Sequence, residues 1–206
     1  MKILKFIGLG LVAIIVLAVI YALFQPKEGS MERSIVIERS PEAIYPVVTT
    51  MKSFNEWSPW FTIDPETKYT YEGPESGVGA KMSWTSDHPD VGAGSQWIIE
   101  AEENKSVTLQ LDFGFAGGYY SDMYLKPVEN GTEVTWTYRY EDLDLMGAFF
   151  TAVMDAEGMV GDQYVTGLQQ LKEYVESQPM PEPAVEEEMM ESDSTAMETE
   201  EMAEEE

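Results

Sequence analysis

Residues 118–141 read GYYSDMYLKPVENGTEVTWTYRYE, two strand-like runs joined through Asn130-Gly131. An Asn-Gly pair between such runs favours a two-residue hairpin, because both central residues of a type I′ turn need positive φ. In the second run, apolar or aromatic residues alternate with mostly polar ones, at Val134, Trp136, Tyr138 and Tyr140. Alternation of this kind is typical of a strand with one buried face, so the stretch predicts an antiparallel hairpin.

The chain before this hairpin continues the same period of two. It predicts further strands over Arg33–Glu38, Lys68–Glu72, Gly79–Ser86, Gly94–Glu102 and Ser106–Phe115. Because successive side chains of a strand point to opposite faces, this parity assigns one set of residues to the buried face. The set is Ala80, Met82, Trp84, Trp97, Ile99, Ala101, Val107, Leu109, Leu111 and Phe113, with Met123 and Leu125 from the next strand. Glu103-Asn104-Lys105 is a second, weaker turn signal.

Helices are predicted on both sides of the strands. Ser40-Pro41-Glu42 offers an N-cap, a proline at the first helical position and an acid in the first turn, and Pro46 must kink or interrupt the helix. A longer helix is predicted over Met146–Glu176, with a single apolar stripe at Val153, Val160, Tyr164, Leu168, Leu171 and Val175. Gly158, Gly161 and Gly167 are unfavourable inside a helix, so they indicate a close approach to the sheet or room for a ligand.

The N-terminus predicts a membrane anchor over residues 1–27. Its residues 6–24 carry no charge, and 19 helical residues cover roughly 28 Å, about the hydrocarbon thickness of a bilayer. This run is longer than the apolar core of most signal peptides, which favours an uncleaved signal anchor over a secreted protein cut after Ala22. Lys2 and Lys5 favour a cytoplasmic start, while Lys27, Arg33 and Arg39, within about 15 residues of the other end, nearly balance them. We expect the domain on the extracytoplasmic side.

The charge balance excludes several functions. The 206 residues include 38 Asp and Glu, 12 Lys and Arg, one His and no Cys, for a net charge of −26. Residues 178–206 hold 12 of the acids and no base, and they predict an acidic disordered tail; residues 28–177 carry −17. Such a surface repels phosphate backbones, so no nucleic-acid partner is predicted. No cofactor and no metal are predicted, because the single His88 lies in a proline-containing turn without visible co-ligands.

The ordered series of motifs resembles the START-like superfamily. These motifs are Met31–Ile37, Ser40–Pro46, Phe54–Trp60, Gly77-Val78-Gly79, Gly92-Ala93-Gly94, and Pro127 followed by Asn130–Trp136. Within that superfamily the chain resembles the polyketide cyclase/dehydrase and lipid-transport (SRPBCC) branch, in its membrane-anchored bacterial versions. The resemblance covers residues 31–176 and implies a helix-grip fold with a hydrophobic cavity for a lipid, sterol-like or polyketide-like molecule.

The fold class predicted is α+β, with six or seven antiparallel strands curved around a long C-terminal helix in residues 28–177. The alternation along the strands and the apolar stripe of the helix direct a set of aromatic and methionine side chains into the space between sheet and helix. The ligand-binding candidates are Trp57, Trp60, Met82, Trp84, Trp97, Phe113, Met123, Trp136, Tyr138, Met154 and Tyr164. Ordinary core packing is the alternative for each residue. We expect a membrane-tethered module that binds a hydrophobic small molecule. A cyclase or dehydratase using a cavity Tyr or Asp, and a pocketless scaffold, remain alternatives.

Overall fold

A computed structural model describes residues 2–114, 117–153 and 156–179. Seven strands form one antiparallel sheet in the order β1-β7-β6-β5-β4-β3-β2. The strands are β1 (Gly29–Ile37), β2 (Lys68–Glu72), β3 (Lys81–Thr85), β4 (Ala93–Glu102), β5 (Ser106–Asp112), β6 (Gly118–Val128) and β7 (Gly131–Glu141). The helices are α1 (Lys2–Leu23), α2 (Pro41–Thr49), α3 (Phe54–Trp57), α4 (Pro59–Ile63), α5 (Leu145–Val153) and α6 (Ala156–Ser177). The predicted α+β arrangement is confirmed.

The central hairpin forms as predicted, with a turn displaced by one residue. Val128 pairs with Gly131, so the turn residues are Glu129 and Asn130 rather than Asn130 and Gly131. Gly131 has φ 136°, and a Cβ at this position would collide with the carbonyl oxygen of Ile37. This glycine is needed because β1 approaches closely, and not as the second residue of a type I′ turn.

Strand parity is confirmed over β3, β5, β6 and β7 but fails in β4. Ile98 pairs with Leu109 and Glu100 with Thr108, so Ile99 is an extra residue that forms a β-bulge. A bulge reverses the faces of the residues that precede it. Ile98 is therefore buried while Ile99 is exposed, and the predicted inward direction of Trp97 and Ile99 is wrong.

The concave face of the sheet is covered by α6. This helix packs against β1 and β7 and against the short helices α3 and α4, while α2 packs on β5 and β6. Tyr164, Leu168, Leu171 and Val175 are buried on the predicted stripe, whereas Val153 is exposed. Gly167 allows the close approach, since a Cβ there would lie 2.7 Å from Cζ3 of Trp136 and 3.1 Å from Cδ of Pro59.

Most of the N-terminal helix lies outside this core. Between Lys5 and Leu23 every side chain except those of Ala18 and Ala22 is exposed, and this segment is long and apolar enough to cross a membrane. Of the other predictions, the acidic tail from residue 180 onward and the candidate Met154 lie outside the described residues.

Candidate functional site

A cavity of about 400 Å³ lies between the concave face of the sheet and α6. Its walls come from α3, α4, the strands β2 to β7, and the helices α5 and α6. The volume falls within the range of about 300 to 1,000 Å³ that is common for small-molecule sites. The sheet leaves this space because a strongly curved ribbon and a straight helix cannot remain in contact along their whole length.

Seven of the predicted candidates line the cavity. They are Trp60, Met82, Trp84, Phe113, Trp136, Tyr138 and Tyr164. The structure brings these residues together from four separate elements and the loop after β5. The side chains are mostly aromatic, so the walls offer a large apolar area with little conformational freedom to lose on binding.

Four candidates are not part of this wall. Trp57 lies behind it, buried against Trp136 with ring centroids 5.3 Å apart. Met123 is buried deeper in the sheet. Trp97 lies on the outer face beneath the Lys81 ammonium, 5.9 Å from the ring centroid, because the bulge in β4 turns it away. Met154 falls outside the described residues.

One hydroxyl organises part of the cavity wall. The indole Nε1 of Trp136 donates to the Ser121 hydroxyl at 2.7 Å, and the Tyr164 hydroxyl lies 3.2 Å from the same oxygen as a donor. The Trp136 and Tyr164 rings also stack, with centroids 3.8 Å apart and planes at 15°. Ser121, which the sequence analysis did not single out, therefore fixes two cavity aromatics in place.

Two other polar groups in the wall have no partner among the residues that the structure describes. The Gln96 amide nitrogen and the Ser58 hydroxyl are buried without a hydrogen bond, and both residues line the cavity. The Gln96 and Ser58 residues are 6% and 2% exposed. An unsatisfied buried donor costs about 1 to 3 kcal/mol, so both positions favour a ligand or water that supplies an acceptor. Gln96 was missed because parity placed it outside; the run Trp97-Ile98-Ile99, which breaks the alternation, is the sequence signal for the bulge.

The cavity is electrically almost neutral. Among the described residues that line it, none is Lys, Arg or His, and Asp90 lies at the exposed rim. Burial raises the pKa of the Tyr138 and Tyr164 hydroxyls far above the ordinary value for tyrosine. Both hydroxyls stay protonated at neutral pH, so they act there as hydrogen-bond donors and acceptors.

Asp122, a buried carboxylate, faces away from this cavity. Asp122 is 2% exposed and accepts from Nε of Arg139 at 2.8 Å on the outer side of the sheet. The Arg139 guanidinium covers the Tyr120 ring at 3.8 Å. His88 lies in the loop after β3, where its Nδ1 accepts from the Asp90 amide at 3.2 Å. Over the described ranges, no group of three or more His, Asp or Glu is placed to hold a metal ion.

A family model described as polyketide cyclase/dehydrase and lipid transport matches residues 28–176. The chain belongs to this family. The match covers the whole sheet and all but the last residue of α6, so the domain described above is the family domain. A search of curated proteins gives no match.

Solved structures share the fold at low sequence identity. A Chromobacterium violaceum protein is 16% identical with a TM-score of 0.53, covering 73% of this chain and 99% of its own. Major latex-like protein 151 from Panax ginseng is 15% identical with a TM-score of 0.53, covering 75% and 100%. A Thalictrum norcoclaurine synthase, solved with a transition-state analogue, is 12% identical with a TM-score of 0.52, covering 71% and 96%. At these identities the likeness establishes the helix-grip fold alone.

Proposed function

We propose that this chain is a membrane-tethered binding module that holds a neutral, largely apolar molecule carrying one hydrogen-bond acceptor, such as a carbonyl oxygen. The observation that carries the proposal is the aromatic cavity of about 400 Å³ with two unpartnered polar groups in its wall. The family description, which includes lipid transport, supports a hydrophobic ligand.

The chemistry of the wall selects against charged ligands. An anionic head group would enter a domain whose net charge is −17 without meeting a cationic side chain from the described lining. Among the described lining residues, a buried cation would find no carboxylate except Asp90 at the rim. A neutral acceptor avoids both costs and satisfies the amide of Gln96.

Tethering rests on α1, whose apolar segment Lys5–Leu23 has the length of a membrane span. Lys2 and Lys5 lie at its N-terminal end, which favours a domain on the extracytoplasmic side. A pocketless scaffold is the less favoured alternative, because the cavity exceeds the roughly 300 Å³ lower bound of common ligand sites.

Binding can be tested with full-length protein in mild detergent and the neutral fluorophore N-phenyl-1-naphthylamine. Trp60, Trp84 and Trp136 line the cavity, so the bound probe should receive excitation energy from tryptophan in a saturable manner. Competition then compares undecane, 2-undecanone, undecanoate and undecylamine, which share a chain and differ in one group. We expect the ketone to compete best, and absence of saturable transfer would refute the binding function.

A matched pair of variants tests the acceptor. Gln96→Leu removes the unpartnered amide from the cavity, while Gln110→Leu makes the same change on β5, opposite Tyr120 and away from the cavity lining. A hydrogen bond is worth about 1 kcal/mol net, or about fivefold in affinity. The preference for 2-undecanone over undecane should fall about fivefold in Gln96→Leu and stay unchanged in Gln110→Leu.

A further inference from the structure

The helix α5 is uncharged and lies at the edge of the cavity. Its sequence, LMGAFFTAV, contains no ionisable residue. Phe150 and Thr151 line the cavity, while Leu145, Met146 and Val153 are 37%, 54% and 57% exposed. The helix therefore has one side toward the ligand space and several large apolar side chains toward the surroundings.

The same helix is attached to the end of the apolar N-terminal segment. The Tyr21 and Phe149 rings meet edge to face, with centroids 6.4 Å apart, and Ala22 is 2% exposed. Just before α5, the amide of Leu143 donates to the carbonyl oxygen of Lys27 at 3.2 Å. These contacts fix the height of α5 relative to the last turn of α1.

We propose that α5 lies in the interfacial layer of a zwitterionic lipid bilayer and that the cavity exchanges its ligand with the bilayer beside this helix. This inference rests on the proposed tether. If Lys5–Leu23 spans the membrane, Tyr21 lies at the level of the head groups, where tyrosine is commonly found. A ring 6.4 Å from Tyr21 must then lie in the same layer.

The side chains of α5 fit that position. A helix at the interface buries its apolar side chains near the boundary between head groups and acyl chains, and a charged residue on that side would oppose this. The exposed Met146 and Val153 gain an apolar environment there that water does not provide. The net charge of −17 on residues 28–177 disfavours an anionic surface, which is why the partner is a zwitterionic one.

The ligand route follows from the arrangement of Phe149 and Phe150. Their ring centroids are 5.7 Å apart; Phe149 contacts the end of the anchor, and Phe150 lines the cavity. Met159 extends this apolar edge on α6, being 39% exposed and also part of the lining. A molecule dissolved in the bilayer could therefore enter without crossing water.

Depth-dependent quenching tests the position of α5. The chain has no cysteine, so Met146→Cys and Val78→Cys each give a single site for a nitrobenzoxadiazole label on the full-length protein. Val78 is 59% exposed and lies in the loop between β2 and β3. In phosphatidylcholine vesicles that contain lipid spin-labelled near the head group, the fluorescence of the label at position 146 should be quenched at least twofold more than that of the label at position 78. Equal quenching in protein that floats with the vesicles would overturn the inference.

The exchange route is tested by the rate at which the naphthylamine probe enters from those vesicles. Met146→Glu should slow entry at least fivefold while equilibrium binding in detergent stays unchanged, and Val78→Glu should change neither quantity. Unslowed entry in Met146→Glu would overturn the route. If the wild type binds no probe, or does not float with vesicles, the proposed function itself fails; normal binding and flotation with equal quenching refute only the placement of α5.

Discussion

Replacing Gly167 with Ala should destabilise the domain, although alanine is the better helix former. The added Cβ would lie 2.7 Å from Cζ3 of Trp136 and 3.1 Å from Cδ of Pro59. Carbon atoms pack best at about 3.5 to 4.0 Å, so the ring would have to move by about 1 Å. It cannot move freely, because it stacks on Tyr164 and its Nε1 is held by Ser121 at 2.7 Å.

The magnitude follows from two opposing contributions. Overpacking of a filled core costs about 1 to 3 kcal/mol, and replacing glycine by alanine inside a helix contributes about 1 kcal/mol in the other direction. We expect a net loss of about 1 kcal/mol in the free energy of unfolding, or about 2 to 4 °C in Tm.

Gly161→Ala is the matched control on the same helix. Its Cβ would lie 2.6 Å from Nη2 of Arg33, which is the far end of a flexible side chain and can turn away. The helix contribution should then dominate, with a gain of up to about 1 kcal/mol. Urea and thermal unfolding of full-length protein in mild detergent measure both variants. If Gly167→Ala is as stable as Gly161→Ala, the tight contact with Trp136 is refuted.

Three further outcomes are expected. Ser121→Ala leaves the indole of Trp136 and the hydroxyl of Tyr164 without their acceptor, so urea unfolding should show a loss of about 2 kcal/mol. Asp122→Ala removes the carboxylate that pairs with Arg139, and should cost about 2 kcal/mol with probe affinity unchanged, because this pair lies on the outer face. Burial raises the pKa of the Tyr164 hydroxyl in the folded state above its unfolded value of about 10. The stability that the protonated hydroxyl contributes is therefore complete below a pH of about 10, and it is lost as pH rises through the higher pKa of the folded state. In a pH titration of tyrosinate absorbance, the wild type should show one tyrosine that ionises late, together with unfolding, and Tyr164→Phe should lack it. Ionisation of this tyrosine at lower pH in the native protein would contradict the prediction.

Much of the fold could be read from the sequence because its period-two pattern is almost unbroken. Val107, Leu109 and Leu111 alternate with polar residues, and all three are buried as predicted. The long helix was recognisable from its apolar stripe, although the stripe was extended too far toward Val153, which is exposed. Local patterns of this kind depend on neighbouring residues alone, so they survive without knowledge of the tertiary contacts.

The site was harder to predict, because a single inserted residue changes which side chains reach it. The bulge at Ile99 exchanges Trp97 for Gln96 on the concave face. A tryptophan expected in the cavity thus lies outside, and parity does not identify Gln96 as part of the cavity wall. The role of Ser121 was equally invisible, since its partners Trp136 and Tyr164 are brought to it by strand pairing and by the packing of α6.

The two edge strands of the sheet, β1 and β2, affect how copies of this protein can associate. Copies of the proposed membrane-tethered module would collide often and with similar orientation, and an unpaired flat strand could then join two sheets. Here β2 is short and carries Lys68 and Glu72, while β1 carries Glu32 and Arg33 and packs against α6. Edge strands of this kind discourage edge-to-edge aggregation, so neighbouring molecules should remain separate and their cavities should remain accessible.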